Sequence, residues 1–316
     1  MRTLVVGAGA TGGFFGGRML QAGRDVTFLV RPARAAALAR TGLVIRSSSG
    51  ESVLPNPPTV TAASPGSGYD VVLFGCKAYD LDAAINDVAG AVGPATAIIP
   101  LLNGMRHLDA LIARFGDDRV LGGLCQIAAM LAPDGAVVQM GEMASNLVFG
   151  ERAGGMSERV RAIAAEMAGA AFASRASDII VQEMWEKWVM LATLAAATCL
   201  MRATVGDIVT SGAADLTLGL LDEVAAIAAA CGYPPREERM KHMRMFLSAS
   251  ASPMTASMLR DIEGRGRIEA DYILGDLLAR RPGGGGGEGD ASLLRIAYAH
   301  TRAYEARRAR EAKKAN

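Results

Sequence analysis

Cysteine, histidine and net charge are all scarce in this chain of 316 residues, and each scarcity removes a class of function. The four cysteines, Cys76, Cys125, Cys199 and Cys231, form no close pair, so a disulfide framework is not expected and a reducing compartment fits. The three histidines, His107, His242 and His300, lie far apart without paired ligand spacing, which predicts chemistry without a bound metal. With 33 basic against 32 acidic side chains the formal charge is +1, too little field to grip nucleic acid or an anionic membrane. A small-molecule ligand is the expected partner. Long apolar runs are missing too: the apolar, uncharged stretch Trp188 to Met201 is too short for a membrane span and reads as a buried helix. The amino terminus enters a strand pattern within two residues, leaving no room for a secretory signal, and a cytoplasmic protein is expected.

What is present is a two-part pattern. The length exceeds what one core usually fills, which makes two domains the starting expectation. Short β-rich runs at Thr3–Val6, Val26–Val30, Val71–Phe74 and Ala97–Leu102 alternate with helical segments such as Gly12–Ala22 and Ala33–Arg40. Such alternation is the mark of βαβ units around a parallel sheet. Leu43–Leu54 and Val120–Phe149 read as antiparallel additions or long connections. Beyond Phe149 the spacing is helical, with Ser157–Ala171 as the last helix of the first domain and a short strand at Ile179–Val181. The predicted fold is therefore an α/β Rossmann-type domain over residues 1–178 and an all-α domain over 179–316. The second domain opens on a long apolar helix from Glu183, and a further helix, Asp215–Cys231, is stopped by Gly232 and Pro234-Pro235. Pro282 and Gly283–Gly287 predict a loop before a last helix that ends in the basic Arg307–Lys314 tail, whose cations complement the helix dipole. An apolar fraction of 51% suits a large core or a homodimer interface equally.

The first chemical signal is Gly7-Ala8-Gly9-Ala10-Thr11-Gly12, which follows the strand Leu4-Val5-Val6 and opens a helix. In a dinucleotide site the first glycine makes the tight turn, the second lets backbone approach a pyrophosphate, and the third brings helix against strand. The second strand ends in Arg31, where an enzyme that uses NADH would hold a carboxylate against the ribose hydroxyl. A guanidinium there suits a 2′-phosphate and predicts NADPH, whereas the plainer alternative makes Arg31 and Arg34 ordinary surface charges.

Further motifs stand at the carboxyl ends of later strands: Cys76-Lys77-Ala78-Tyr79 after Val71–Phe74, and Leu102-Asn103-Gly104 after Ala97–Leu101. The second half carries Trp185-Glu186-Lys187, then Ala256-Ser257-Met258-Leu259-Arg260-Asp261, then Ile268-Glu269-Ala270-Asp271-Tyr272-Ile273-Leu274-Gly275. In this order the motifs resemble those of the ketopantoate (2-dehydropantoate) reductase family over nearly the whole chain. The resemblance implies an NADPH-dependent oxidoreductase of pantothenate biosynthesis that reduces a 2-keto acid. It implies that Lys77 lies by the phosphate-bearing end of the cofactor, that Asn103 lies by the nicotinamide ribose and the substrate, and that Ala128 lines the cofactor. It also implies that Lys187 is the catalytic lysine, that Ser257 touches substrate, and that Glu269 lies near the lysine and cofactor. The chemistry asks for a cation beside the carbonyl under hydride attack, to stabilise and then protonate the alkoxide. Lys187, at the edge of an uncharged run that would partly desolvate it, is the expected acid.

The chain departs from the family where asparagines hold the substrate's hydroxyl and carboxylate, since the matching positions are Leu191, Ala195 and Val205. Two polar residues share the helix face of Lys187: at about 100° per residue, Thr198 lies ~20° and Arg202 ~60° around from it. Either they recognise the substrate, or Thr198 bonds back to its own helix and Arg202 caps the helix end. Three functions remain open: the 2-dehydropantoate reductase, a reductase of the same architecture for another keto acid, and a non-catalytic NADPH sensor. Retention of Lys187, Ser257 and Glu269 together favours an enzyme, because a sensor needs the cofactor half alone.

Overall fold

The computed structural model describes residues 1–141, 145–283 and 291–315. The chain divides into two compact units, Met1–Leu102 with His107–Val181, and Asn103–Arg106 with Gln182–Asn316.

In chain order the first unit runs β1 (Arg2–Val6), α1 (Ala10–Gln21), β2 (Asp25–Leu29), α2 (Pro32–Thr41), β3 (Leu43–Ser47), β4 (Gly50–Leu54), β5 (Thr59–Val60), β6 (Val71–Phe74), α3 (Leu81–Val88) and β7 (Ala97–Pro100). It continues through α4 (Arg106–Phe115), β8 (Gly122–Gln126), β9 (Ala129–Leu131), β10 (Val137–Gln139), β11 (Asn146–Gly150), α5 (Glu158–Met167) and β12 (Ala173–Ala176). Every residue of β6 and β7 is buried, as strands covered on both faces require. Their sheet is parallel throughout, in the order β5-β2-β1-β6-β7. Strand order therefore reverses between β1 and β6, and in open α/β sheets that reversal opens the ligand crevice at the carboxyl ends.

Helix α1 owes its burial to small residues: a methyl on Gly16 would meet the Phe28 ring at 2.7 Å and Val5 at 2.9 Å, and one on Gly17 would meet Ile45 at 2.7 Å. The helix thus lies against the parallel sheet on one side and on the other against a second sheet, β4-β3-β10-β9. That sheet contains the antiparallel hairpin β3–β4 and the antiparallel pair β9–β10, joined by a parallel β3–β10 pairing. A third sheet, β12-β11-β8, completes the unit.

One expectation fails here. Ile179–Val181 is not a strand, for helix α6 (Ile180–Met201) begins inside it, with the Ser177 hydroxyl accepting from the Ile179 N–H just before the first turn. The strand of this region is β12 instead, Ala173-Ser174-Arg175-Ala176, which contains no β-branched residue and exists through its parallel pairing with β11. The helix expected over Ser157–Ala171 ends at Met167, which leaves room for that return.

The second unit holds only helices among its described residues: α6, α7 (Val205–Thr210), α8 (Ala214–Ala230), α9 (Glu237–Leu247), α10 (Ser257–Glu263), α11 (Asp276–Ala279) and α12 (Leu293–Ala315). A π-helical turn, Asp271–Gly275, runs directly into α11. Trp185 and Trp188 on α6 are fully buried, and removing either ring would cost about 3–5 kcal/mol. Gly232, at φ +89°, and the prolines after it stop α8 as expected. The predicted glycine-run loop lies, from residue 284, outside the described residues.

Candidate active site

In the first unit, Gly7 leaves β1 at φ +92° and donates its N–H to the Leu29 carbonyl at 2.9 Å, a left-handed turn that favours glycine. A methyl on Gly12 would stand 2.0 Å from the Gly7 carbonyl oxygen, so the third glycine is a steric necessity. Gly9 is the opposite case, with nothing within 4 Å of where its Cβ would be. Helix α1 begins there without an acidic residue in its first turn. Open space bordered by a helix N-terminus is what a pyrophosphate requires, and the loop fits that group on its own geometry. The half-buried Ala10 and Thr11 form the first turn, and Ala8 is buried beneath the loop.

Gly75, which follows β6, was not singled out by the sequence reading. A Cβ there would lie 2.6 Å from Gly12 Cα, so the strand-order reversal is closed by two backbones in contact. A glycine directly after an apolar strand was the available signal. Lys77 then opens the 3₁₀ turn Ala78–Asp80. Arg31 stands at the end of β2 as the N-cap of α2, its side chain 70% exposed and its Nη2 donating to Asp80 Oδ1 at 2.9 Å. Ala128 lies between β8 and β9, and its carbonyl accepts from the Met140 N–H at 2.7 Å.

In the second unit, Lys187 Nζ donates to Asn103 Oδ1 at 3.0 Å. Three contacts hold this pair in place. The Trp188 indole N–H donates at 3.0 Å to the Ile273 carbonyl, inside the π-helical turn. Gly104, at φ +81°, brings its backbone so close to the Tyr272 carbonyl that a Cβ would lie 2.8 Å from that oxygen. The Arg106 guanidinium sits over the Tyr272 ring, 5.3 Å from its centroid. A π-turn shifts carbonyls out of the regular ladder, and such turns recur at functional sites. Here it fastens Lys187, Asn103 and the helix that starts after Glu269 into one cluster. Glu269 itself is buried, and its carbonyl accepts from Tyr272 and Ile273. From α12, Tyr298 donates to Asp271 Oδ1 at 2.6 Å, and its hydroxyl is pushed up to about 12 by burial and by that carboxylate.

Beside Lys187, the Glu186 carboxylate has no exposure. Arg236 grips it through Nε at 2.7 Å, Nη2 at 2.6 Å and the backbone N–H at 3.0 Å, and Gln182 adds a bond at 3.3 Å. Burial alone would raise this carboxyl, but the hydrogen bonds of Arg236 and Gln182 outweigh it and hold it below the usual carboxylate range. Trp185 stacks on Tyr233 with centroids 5.5 Å apart. The start of α6 is thus clamped to the segment before α9 by the two residues that precede Lys187.

Two of the expected substrate groups are engaged elsewhere. Thr198 is fully buried, and its hydroxyl donates to Leu194 O at 2.7 Å and accepts from the Ala256 N–H at 3.3 Å. It holds the backbone in front of Ser257, the first residue of α10, and has no hydroxyl proton left for a ligand. Arg202, at φ 54°, follows the last residue of α6 and pairs with Glu263 at 2.8 Å, the geometry that the helix-end alternative expects. Of the positions that match the family's asparagines by resemblance, Leu191 is half-buried, and Ala195 and Val205 are buried. Among the described residues no group of three or more metal-ligating side chains occurs, and no helix is long and apolar enough to cross a membrane.

Comparison with known proteins bears on both units. The sequence profile of ketopantoate reductase PanE/ApbA matches residues 3–154, and the profile of the C-terminal region of the same family matches residues 179–305. The chain is 36% identical over 309 residues to the uncharacterized oxidoreductase YkpB of Bacillus subtilis, covering 97% of this chain and 99% of that one. A crystal structure of 2-dehydropantoate 2-reductase from Methylococcus capsulatus superposes with a TM-score of 0.84 at 26% identity, covering 98% of each chain. A ternary structure of D-mandelate dehydrogenase with NADH and anilino(oxo)acetate reaches the same TM-score of 0.84 at 20% identity, covering 98% of this chain and 99% of that one. At that identity the likeness is one of fold, and the two structures show that this fold serves different acids.

Proposed function

We propose that this chain, which belongs to the ketopantoate reductase family of oxidoreductases, reduces a 2-keto acid to the 2-hydroxy acid with NADPH. The observation that carries the reading is the bond from Lys187 Nζ to Asn103 Oδ1 at 3.0 Å. An amide oxygen that accepts from the ammonium fixes its direction without neutralising its charge, so the group remains able to stabilise an oxyanion and give up a proton. A nicotinamide held by the glycine loop would supply the hydride for the C2 carbonyl. Lys187 Nζ then protonates the developing alkoxide, while Asn103 and the helix clamp keep it from swinging into solvent. Ser257 offers a hydroxyl to the acid, and Glu269 lies at the start of the helix that Trp188 and Gly104 hold. In the first unit, Arg31 presents an exposed guanidinium with one nitrogen committed to Asp80, and Lys77 adds a second cation after β6. Together they favour the 2′-phosphate of NADPH.

Within this reading the acid is more apolar than ketopantoate. Leu191, Ala195 and Val205 offer no amide, and the Thr198 hydroxyl is spent within the fold. A substrate hydroxyl left underpaired in a partly dry site costs about 1–3 kcal/mol. Steady NADPH oxidation is therefore expected to be faster with 2-keto acids carrying branched aliphatic or aryl side chains than with ketopantoate. Ketopantoate turned over as the best of such a panel would reverse the assignment, and no oxidation with any member would remove the reductase reading.

A further inference from the structure

The glycine loop is not self-supporting, and the side chain that supports it lies outside the motif. Arg34, on the first turn of α2, donates through Nε to the Ala8 carbonyl at 3.1 Å and through Nη1 to the Gly135 carbonyl at 3.0 Å. Gly135 belongs to the turn between β9 and β10, so one guanidinium ties the loop after β1 to the tip of a hairpin in another sheet. The third nitrogen, Nη2, is buried and meets no acceptor among the described residues. Nη2 is thus covered by protein, while the fork reaches the loop through the Ala8 carbonyl.

We infer that Arg34 is a positioning residue for the cofactor's pyrophosphate, acting through the peptide plane between Ala8 and Gly9. All peptide bonds described are trans, and in a trans peptide the C=O and the following N–H point in opposite directions. Holding the Ala8 carbonyl toward Arg34 aims the Gly9 N–H away from it. That N–H has no acceptor among the described residues and borders the open space beside Gly9. A peptide leading into glycine otherwise rotates easily, because glycine occupies both halves of φ space. An arginine fixes the orientation through two bonds in a planar fork, which a lysine reproduces only in part. The role differs from that of Arg31: the pyrophosphate is common to NADH and NADPH, whereas the 2′-phosphate is not.

The inference rests on the glycine loop as a dinucleotide site, and fluorescence titration separates the two. Wild type and Arg34→Lys are titrated with NADPH and with NADH, and 2′-AMP, which lacks a pyrophosphate, is measured by displacement. Losing one charge-assisted bond is expected to weaken both dinucleotides about five- to tenfold in equal proportion. Binding of 2′-AMP stays unchanged. Equal weakening of 2′-AMP would mean general loosening of the domain, and weakening of NADPH alone would mean direct contact with the 2′-phosphate. Either result, or unchanged affinity throughout, overturns the assignment. Wild type that binds neither dinucleotide overturns the loop reading itself. Should Arg34→Lys not fold, Gly135→Ala displaces the same fork, since its Cβ would stand 2.8 Å from Nη1. A smaller but equal loss for both dinucleotides is expected, and no loss refutes the role.

Discussion

In the proposed function, the unit of residues 1–102 and 107–181 would offer a ligand mainly backbone, while the unit of residues 103–106 and 182–316 would offer side chains. In the first, Gly7 and Gly12 are fixed by a positive φ and by a 2.0 Å clearance, so almost no other residue is compatible with the geometry. In the second, Lys187 and Ser257 stand on helices and Glu269 just before one, on backbone that would accept many alternatives, and the positions Leu191, Ala195 and Val205 offer no amide. The difference teaches where specificity can drift. A site built on backbone tolerates little change, whereas a site built on side chains keeps its reacting group and exchanges the groups that select the substrate.

The sharpest way to break that contrast is Lys187→Ala. Turnover is expected to fall by about 10²–10⁴-fold with NADPH affinity unchanged, because in the proposed function the residue acts on the acid and not on the cofactor. Single-turnover rates beside an NADPH titration check it; near-wild-type turnover would take Lys187 out of the chemistry. Arg31→Ala probes the first unit, with an expected loss of roughly ten- to hundredfold for NADPH and little change for NADH, as one charge-assisted phosphate contact is removed. Equal affinity of the wild type for the two cofactors would refute the assignment of Arg31.

Glu186→Gln tests whether the second unit depends on the clamp beside its lysine. The stability loss near neutral pH is expected to be about 2 kcal/mol, below the range for fully buried pairs because Arg236 stays 47% exposed. The carboxyl lies below its ordinary value in the folded protein, so its contribution is fully present above the unfolded-state pKa and disappears as pH falls through the folded one. Thermal melts of the two proteins should differ at neutral pH and converge in acid. A difference that persists unchanged in acid would show that packing, and not charge, holds the clamp.

Much of the fold is legible in the sequence. The parallel strands were readable because both of their faces are buried, which leaves continuous apolar runs at Val71–Phe74 and Ala97–Pro100. The glycine loop was readable because its spacing is a steric requirement. Strand β12 was not, since Ala173–Ala176 has no strand-forming side chains and takes its conformation from β11. Helical geometry puts Thr198 on the Lys187 side of α6, but Arg202 lies beyond the last helical residue at φ 54°, where that angle no longer applies, and angle alone does not say what either side chain faces. Ala256 meets Thr198 and Glu263 meets Arg202, and both partners lie more than fifty residues away in the chain.

By itself, then, the sequence determined the parallel sheet, the helical second unit and the glycine turn after β1, because each follows from a local period or a local steric limit. Only the tertiary structure decided that Asn103 holds Lys187, that a π-helical turn receives Trp188, and that Arg34 braces the Ala8 carbonyl. These are hydrogen bonds between residues distant in the chain. Their partners are largely carbonyl oxygens, which every residue carries and no sequence pattern distinguishes.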